Sequence, residues 1–271
     1  MPGNITRHQV KMILSLQKRK VREENSLFVI EGDKLVREYI LAGHRVILLA
    51  GKPEWIDGEP ESVISGAEEV VTVGYDELRR ISSLRTPHNV LAVAPMQKRQ
   101  FSDGLLRGGL TPVLECVQDP GNLGTIIRIA AWFGMENIIC SPDSVDFYNP
   151  KVIQATMGAF MHVSVWYRPL DKLLATAAAE CIPVYGTVTD GQSVYDNPLG
   201  SEGIILFGNE SKGISEGLLR YVSEQITIPG PPRPSAGLES LNVSMAAAIV
   251  CSEFARRGSM YRQQAAGSRQ K

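Results

Sequence analysis

Residues 113–140, VLECVQDPGNLGTIIRIAAWFGMENIIC, decide the fold class of this chain. An apolar strand at Val113–Val117 leads through a glycine-containing turn into an apolar helix at Thr125–Phe133, and a second strand follows at Ile138–Cys140. Short strands that alternate with helices favour a mostly parallel sheet covered by helices on both faces. Ligands of such sheets bind beyond the carboxyl ends of the strands, so we expect a functional site there.

The alternation continues on both sides of this stretch. Further elements predicted after it are the strands Val163–Trp166, Val184–Thr187, Ile204–Phe207 and Ile226–Ile228 and the helices Val152–Phe160, Leu170–Ala179 and Val243–Arg257. Before it we predict a basic helix up to Gln17, the strands Ser26–Glu31, Val46–Ala50, Val70–Val73 and Val90–Ala94, and the helix Lys34–Ala42. We therefore expect a smaller α/β domain at residues 1–95, a linker at residues 96–110, a second domain at residues 111–258 and a polar, mobile tail from residue 259.

Composition limits the kind of function. Hydrophobic residues make up 44% of the 271 residues and charged ones 21%, which is typical of a folded protein. The net charge is −1, so any contact with nucleic acid must come from a local patch. One candidate patch lies before Glu23 and comprises Arg7, Lys11, Lys18, Arg19, Lys20 and Arg22. These residues are either a solvated helix face or a phosphate-binding surface.

The cysteines indicate neither disulfides nor metal. Cys116, Cys140, Cys181 and Cys251 are far apart among apolar neighbours and form no C-x-x-C pair, so we expect buried free thiols and no metal ligands. No apolar run is long enough to span a bilayer, and the N-terminus has no signal-peptide core. We expect a cytoplasmic protein without membrane contact.

A first candidate loop, Asp119–Arg128, follows the strand Val113–Val117. Its glycines permit a close backbone approach to a ligand, but the G-x-G-x-x-G spacing of dinucleotide-binding proteins is missing. Arg128 stands on an otherwise apolar helix, where a guanidinium needs a partner such as a phosphate. The alternative is a plain turn at a helix start.

Two further candidate loops also follow predicted strands. Leu206–Ser215 is similar to a phosphate-binding P-loop, but Ile214 stands where that motif requires lysine. The alternative is a loop that caps a helix near Ser215 and leaves Glu210 solvated. In the third loop, Ile228–Ser244, either Ser240 or Asn242 could simply cap the alanine-rich helix that follows.

Taken together, the three loops resemble a known family. N-x-G-x-x-x-R from Asn122, G-N-E-x-x-G from Gly208 and I-P…E-S-L-N-V-S from Ile228 resemble the three signature motifs of the SpoU/TrmH family of RNA ribose 2′-O-methyltransferases, within the SPOUT superfamily. Phe28–Gly32, together with the basic helix before it, is similar to the RNA substrate-binding domain that many members carry. The resemblance covers about residues 5–257.

The resemblance implies a fold, a cofactor and a set of roles. It implies a mostly parallel sheet with a C-terminal trefoil knot, a homodimer with active sites near its interface, and S-adenosyl-L-methionine as methyl donor. The residues that would hold this cofactor are Leu206, Gly208, Asn209, Ile228 and Leu241, and the catalytic candidates are Asn122, Arg128, Glu210, Ser240 and Asn242. Because a guanidinium is a poor base, we expect Arg128 to pair with a substrate phosphate, with Asn122 and Glu210 fixing its position.

Two departures from the family pattern stand out. The stretch Pro229–Glu239 is a few residues longer than usual and is expected to reshape the cofactor rim. Gln154 stands where the family commonly has arginine, which indicates a lost phosphate contact. Lys151 and Gln154 could equally be surface residues of a helix.

The target and two rival classes remain open at this point. A separate front domain resembles the arrangement of ribosomal RNA methylases, and transfer RNA is the second candidate. A catalytically silent RNA-binding or ribosome-assembly protein of the same fold is the alternative from another class, and a Rossmann-type nucleotide enzyme is a further one.

Overall fold

The computed structural model describes residues 2–97, 99–230 and 240–268, with side chains described up to residue 258 apart from that of Asp103. Contacts along the chain group it into two compact units. The first unit comprises Met1–Arg99 and Asp146–Met161, and the second comprises Gln100–Val145 and His162–Lys271. The segment 146–161 therefore groups with the N-terminal part, although the sequence partition places it in the second domain. The division into domains at residues 1–95 and 111–258 stays a prediction.

The first unit is built on a five-stranded mixed sheet of order β1-β4-β3-β5-β2. Its strands are β1 (Gly3–Asn4), β2 (Leu27–Glu31), β3 (Val46–Gly51), β4 (Ala67–Thr72) and β5 (Val90–Pro95). Its helices are α1 (Arg7–Ser15), α2 (Arg19–Asn25), α3 (Asp33–Leu41), α4 (Pro53–Gly58), α5 (Glu61–Ile64), α6 (Tyr75–Ile81) and α8 (Pro150–Thr156), followed by a 3-10 turn at Ala159–Met161. β5 pairs antiparallel with both β2 and β3.

Successive strand residues bury opposite faces of this sheet. Val29 packs with α1 and α6 in one apolar cluster. Its neighbour Phe28 meets the rings of Tyr39, Tyr148 and Phe160. Two of these rings belong to the segment 146–161, which explains why that segment groups with the first unit.

One prediction for the basic N-terminal patch is wrong. Arg22 is 2% exposed and is neither solvated nor free for a phosphate. Its guanidinium binds Asp146, with Nε 3.2 Å from Oδ2, and donates to the carbonyl oxygens of Leu16 at 2.8 Å and Gln17 at 2.9 Å. A buried guanidinium needs several acceptors, and here they are all within the unit.

The second unit contains a six-stranded sheet of order β11-β9-β10-β6-β7-β8. Its strands are β6 (Leu110–Leu114), β7 (Asn137–Cys140), β8 (Ser164–Tyr167), β9 (Val184–Ser193), β10 (Gly203–Phe207) and β11 (Glu224–Thr227). Its helices are α7 (Pro120–Trp132), α9 (Leu170–Ala179), α10 (Glu216–Leu219) and α11 (Val243–Ser268), and a 3-10 turn lies at Asp103–Leu106. Every strand pair is parallel, which confirms the predicted sheet type.

The order of the strands places the loops of interest. β6 and β10 are neighbours, yet β6 leads to β7 on one side while β9 and β11 lie on the other side of β10. The carboxyl ends of β6 and β10 therefore flank the point where the winding direction reverses, which is where parallel sheets bind ligands. All five residues of β10 are buried, as expected for a central parallel strand.

Several predicted boundaries are wrong for local reasons. β6 ends at Leu114 rather than Val117, because Cys116 adopts a left-handed backbone with φ 54°. The helix predicted at Val152–Phe160 ends at Thr156, since Met157 and Gly158 have φ of 50° and 95°. The last helix continues to Ser268 instead of ending at Arg257, while residues 269–271 lie outside the described part.

The cysteines are all free, but only two match the prediction of burial. Cys140 and Cys251 are buried, and burial raises the pKa of both thiols, that of Cys251 to about 12. Cys116 is half-buried and Cys181 is exposed, so the prediction is wrong for Cys181. Among the described residues no helix could cross a membrane, because none combines the required length with enough apolar character.

Candidate active site

The three loops meet at the side chain of Asn122. Its Nδ2 donates to Oε1 of Glu210 at 3.0 Å, which joins the first loop to the second. Its Oδ1 accepts from Nδ2 of Asn242 at 3.0 Å, which joins the first loop to the third. One amide thus connects residues that are 88 and 120 positions away in the chain.

The position of Asn122 follows from how α7 begins. Asp119 is the N-cap, and its Oδ1 accepts from the backbone N–H of Asn122 at 2.8 Å. Pro120 occupies the first helical turn, where a missing N–H costs nothing. The helix therefore starts at Pro120 and not at Thr125, so the predicted first loop is largely the first turns of a helix.

The second loop folds tightly on itself after β10. The backbone N–H groups of Asn209 and Gly213 each donate to the other's carbonyl, at 3.0 and 2.9 Å. A side-chain carbon at Gly208 would lie 2.2 Å from the carbonyl carbon of Gly213, so only glycine fits there. Oδ1 of Asn209 accepts from the N–H groups of Ser211 and Lys212 and holds the turn. The close packing of this loop therefore explains why residue 208 is glycine.

Two residues that the sequence analysis missed tie this loop to the end of β6. Glu115 accepts from the backbone N–H of Ser215 at 2.9 Å through Oε2. The carbonyl of Cys116 accepts from Nδ2 of Asn209 at 2.9 Å. A carboxylate next to the apolar run of β6 was the only available signal. Glu115 thus fixes the residue directly before α10, whose own side chain makes no cap bond.

In the third loop, Asn242 both caps α11 and binds Asn122. Oδ1 of Asn242 accepts from the backbone N–H of Ser244 at 2.9 Å and from its hydroxyl at 2.6 Å, so Asn242 caps α11. Its Nδ2 is then directed to Asn122. Of the two cap candidates, Asn242 is therefore the cap. Ser240 is exposed, and residues 231–239, including Glu239, lie outside the described residues.

Arg128 does not join this cluster. Its side chain is exposed on α7, and within the described ranges it makes no hydrogen bond or ion pair. The prediction that Asn122 and Glu210 fix its guanidinium is therefore wrong for the single chain, since those two residues bind each other. Arg128 also needs no partner within the fold, because α7 buries Ile126, Ile127 and Ala130 and leaves the Arg128 side exposed.

The cofactor candidates lie at the carboxyl edge of the sheet. Leu206 is buried within β10, and Gly208 and Asn209 follow that strand. Ile228 is half-buried directly after β11, at the same edge, and Leu241 is 47% exposed beside the third loop. Exposed leucine and half-buried isoleucine near main-chain polar groups suit an adenosyl group, which needs apolar packing and backbone hydrogen bonds. The residues present therefore fit S-adenosyl-L-methionine.

A neighbouring polar cluster lies between β6 and β7. The Oγ of Ser141 accepts from the backbone N–H of Cys116 at 2.8 Å and donates to Asp143 at 2.5 Å. The hydrogen bond from Ser141 lowers the pKa of Asp143, and the Asp143 carboxylate raises the pKa of the Cys116 thiol. Cys116 thus stays a thiol at neutral pH and is not an activated nucleophile.

Comparison with known proteins agrees with this geometry. Residues 109–252 match the model of the SpoU rRNA Methylase family, and residues 7–92 match the MRM3-like substrate binding domain. The chain is 29% identical over 243 residues to the 23S rRNA (guanosine(2553)-2′-O)-methyltransferase RlmP of Bacillus subtilis, covering 89% of this chain and 94% of that protein.

Solved structures extend the likeness to the whole fold. A chain from Porphyromonas gingivalis, described as a TrmH-family RNA methyltransferase, is 36% identical with a TM-score of 0.80 over 93% of this chain and 99% of its own. An AdoMet-bound rRNA methyltransferase from Sinorhizobium meliloti is 25% identical with a TM-score of 0.80, covering 94% of this chain and 97% of its own. The chain belongs to the SpoU/TrmH family of RNA ribose 2′-O-methyltransferases, whose methyl donor is S-adenosyl-L-methionine.

The family, fold class, enzyme class and cofactor predicted from the motifs are thereby confirmed. The silent RNA-binding protein and the Rossmann-type enzyme are not supported. The knot and the homodimer that the resemblance implies stay predictions.

Proposed function

We propose that this enzyme methylates the 2′-hydroxyl of a ribose in ribosomal RNA, at a site organised around Asn122. The observation that carries the proposal is the pair of hydrogen bonds from Asn122 to Glu210 and from Asn242 to Asn122, both 3.0 Å long. They bring the three loops to one point at the carboxyl edge of the sheet. The ribosomal target is supported by the B. subtilis relative, which shares both units of the chain and is named for 23S rRNA.

The cofactor supplies an electrophilic methyl group, so the protein's own task is to align the attacking oxygen and accept a proton. Gly208 and Ile228 hold the adenosyl part through main-chain groups, and Leu241 provides apolar packing. Asn209, whose main-chain groups bind Gly213, and the buried Leu206 support this edge of the sheet. Glu210 is kept in place by Asn122 and faces the ribose. Ser240 and Asn242 complete the rim of the site.

Arg128 binds a phosphate of the RNA. The guanidinium is exposed and, within the described ranges, has no carboxylate partner, so its charge is available to the substrate. Holding that phosphate orients the ribose, and with it the 2′-hydroxyl, in the site. The hydroxyl proton passes to an oxygen of that phosphate, because Arg128 stays protonated and a protonated guanidinium is a poor base.

We further propose a cytoplasmic homodimer with the active sites near its interface. Trp132 on α7 is 84% exposed, and Met245 and Leu241, at the start of α11, are also exposed. α7 and α11 pack against each other, so these apolar side chains belong to one helical layer. Large exposed apolar residues on one layer of helices are typical of an interface.

Mapping 2′-O-methyl groups in RNA from cells with and without this protein tests the function directly. We expect one ribosomal position to lose its methyl group when the protein is absent, and purified protein to restore it with S-adenosyl-L-methionine. Loss of a methyl group on transfer RNA alone would refute the ribosomal target. An unchanged methylation map, together with no calorimetric heat on adding S-adenosyl-L-methionine, would refute the enzyme itself.

A further inference from the structure

Three of the six cations singled out near the N-terminus are neutralised in the folded first unit. Arg19 pairs with Glu23 at 2.7 Å and Lys20 with Glu24 at 3.8 Å, each one helical turn apart. Arg22 is buried on Asp146. Half of that patch is therefore already occupied by the protein's own acceptors.

A different group of cations in the same unit is free. The stretch 78–89 contains Arg79, Arg80 and Arg85 and no acidic residue. All three arginines are exposed, and in the described part of the chain none of them has a hydrogen bond or ion pair. Their charge is therefore available to a partner, and the natural partner of clustered free guanidinium groups is phosphate.

Hydrogen bonds to two carboxylates, those of Glu31 and Asp33, fix the loop that carries Arg85. Glu31, 6% exposed at the end of β2, accepts from the backbone N–H of Ser83 at 2.9 Å and also from the hydroxyls of Ser82 and Ser83. Asp33 accepts from the backbone N–H of Asn89 at 3.1 Å and from its Nδ2 at 2.6 Å.

These two carboxylates flank Gly32, whose φ of 118° lets the chain turn between them. Both ends of the loop 82–89 are thus fixed, while Arg85 and His88 remain exposed at its tip. A surface fixed in advance loses little conformational entropy when a ligand binds.

An exposed aromatic ring lies on the same helix as two of the arginines. Tyr75 is 51% exposed and one turn before Arg79, so both side chains lie on one face of α6. Nζ of Lys52 lies 5.4 Å from the centre of the Tyr75 ring. Cations combined with an exposed ring match single-stranded RNA, whose phosphates bind the charges and whose bases stack on rings.

We propose that Tyr75, Arg79, Arg80 and Arg85 form the surface of the first unit that binds an unpaired segment of the substrate RNA, away from the methylated nucleotide. This inference rests on the proposed function and adds where the rest of the RNA is held. The buried Glu31 is a positioning residue, because it acts only by holding the loop of Arg85.

The test compares two triple variants of the full chain for binding to protein-free large-subunit ribosomal RNA. R79A/R80A/R85A removes the free cations, and the matched control R19A/K20A/R45A removes three cations that are each paired with a carboxylate. Both lower the net charge by three. We expect the first variant to bind RNA about tenfold more weakly or worse, with the slope of log affinity against log salt reduced by about 2. The control should bind nearly like the wild type.

A second pair of variants separates stacking from charge. Tyr75→Ala should weaken RNA binding without changing the salt slope, and Tyr75→Phe should restore it, because phenylalanine keeps the ring. Affinity for S-adenosyl-L-methionine should be unchanged in every variant.

Three outcomes would overturn the inference. If the wild type methylates RNA and R79A/R80A/R85A binds as tightly as it does, the surface is wrong and the proposed function stands. If the control loses affinity instead, the RNA binds at the paired cations of α2 and at Arg45 rather than at the proposed surface. If the wild type binds S-adenosyl-L-methionine but no RNA, the proposed function is wrong together with this surface.

Discussion

At the residue scale, two hydrogen bonds explain why residue 122 carries an amide side chain. One end donates to a carboxylate and the other accepts from an amide, and a carboxamide carries the donor and the acceptor on two separate atoms. An aspartate would place a second negative charge at hydrogen-bond distance from Glu210. The residue type is therefore set by its two neighbours.

Arg128 provides a prediction at the same scale. Arg128→Ala should lower the single-turnover rate of methyl transfer at saturating RNA by about 100-fold, because the phosphate that orients the ribose is no longer held. Affinity for S-adenosyl-L-methionine should not change, since the guanidinium is exposed and lies outside the Asn122 cluster. Rapid-quench kinetics with labelled cofactor measures the rate.

Arg107→Ala is the matched control, because Arg107 is an exposed arginine of the same unit that already pairs with Glu180 at 3.0 Å. Its rate should equal that of the wild type. A wild-type rate for Arg128→Ala would show that Arg128 has no part in positioning the substrate.

At the element scale, α11 is fixed to the chain after β9 by one carboxylate. Glu253 is buried and binds Arg256 and Arg257, both at 2.7 Å. Arg257 in turn donates to the carbonyl of Asn197 at 2.5 Å and to that of Tyr195. The hydrogen bond from Arg256, followed by that from Arg257, lowers the pKa of Glu253 to about 2.

This shift predicts how stability depends on pH. A carboxylate whose pKa is lower in the folded than in the unfolded state stabilises the fold at any pH above its ordinary pKa of 4.5. This stabilisation is lost as the pH falls from 4.5 toward 2. Glu253→Gln should therefore melt a few degrees below the wild type at pH 7, with a gap that closes between about pH 4.5 and 2. Thermal unfolding followed by circular dichroism measures both.

Glu180→Gln serves as the control, since the Arg107–Glu180 pair is largely exposed and exposed pairs contribute little. Equal melting temperatures for Glu253→Gln and the wild type at pH 7 would mean that this network does not stabilise α11.

Element boundaries show what the sequence could and could not predict. Apolar periodicity located most strands of both sheets and most of the longer helices, and Leu170–Ala179 was predicted to the residue. It missed the short strand β1 and the helices α2, α4, α5, α6 and α10. It could not show that Cys116 and Met157 take left-handed backbone, which ends β6 and α8 early. Such conformations depend on contacts made across the fold, because only glycine adopts them readily on its own.

At the scale of the whole molecule, the predicted dimer can be tested at one exposed side chain. If α7 and α11 form the interface, Trp132→Glu should change the mass in sedimentation from twice the chain mass of 29.7 kDa to a single copy. The charge would be buried without a partner at such an interface. Leu41→Glu, at an exposed apolar residue of the first unit, should leave the dimer intact. A wild-type protein that sediments as a monomer would contradict the prediction.

The site was predictable only in part for a physical reason. The loops that follow parallel strands all lie at the carboxyl edge of the sheet. Because each motif follows a predicted strand, the sequence was enough to predict that the three loops lie at the same edge. Which side chains touch depends on distances that no spacing contains. Asn122, Glu210 and Asn242 are in contact as one network, whereas Arg128 is exposed on another side of α7 and Glu115 was not anticipated.

The most direct test of the central claim, that Asn122 joins the three loops into a methyl-transfer site, exchanges the two groups of one hydrogen bond. Asn122→Asp should lower the single-turnover rate by about 100-fold or more, because two carboxylates would then face each other across the 3.0 Å contact. In a Glu210→Gln background, where an amide donor faces the new carboxylate, Asn122→Asp should cost at least about tenfold less than it costs in the wild type. An equal cost in both backgrounds, or an Asn122→Asp variant as fast as the wild type, would contradict the claim.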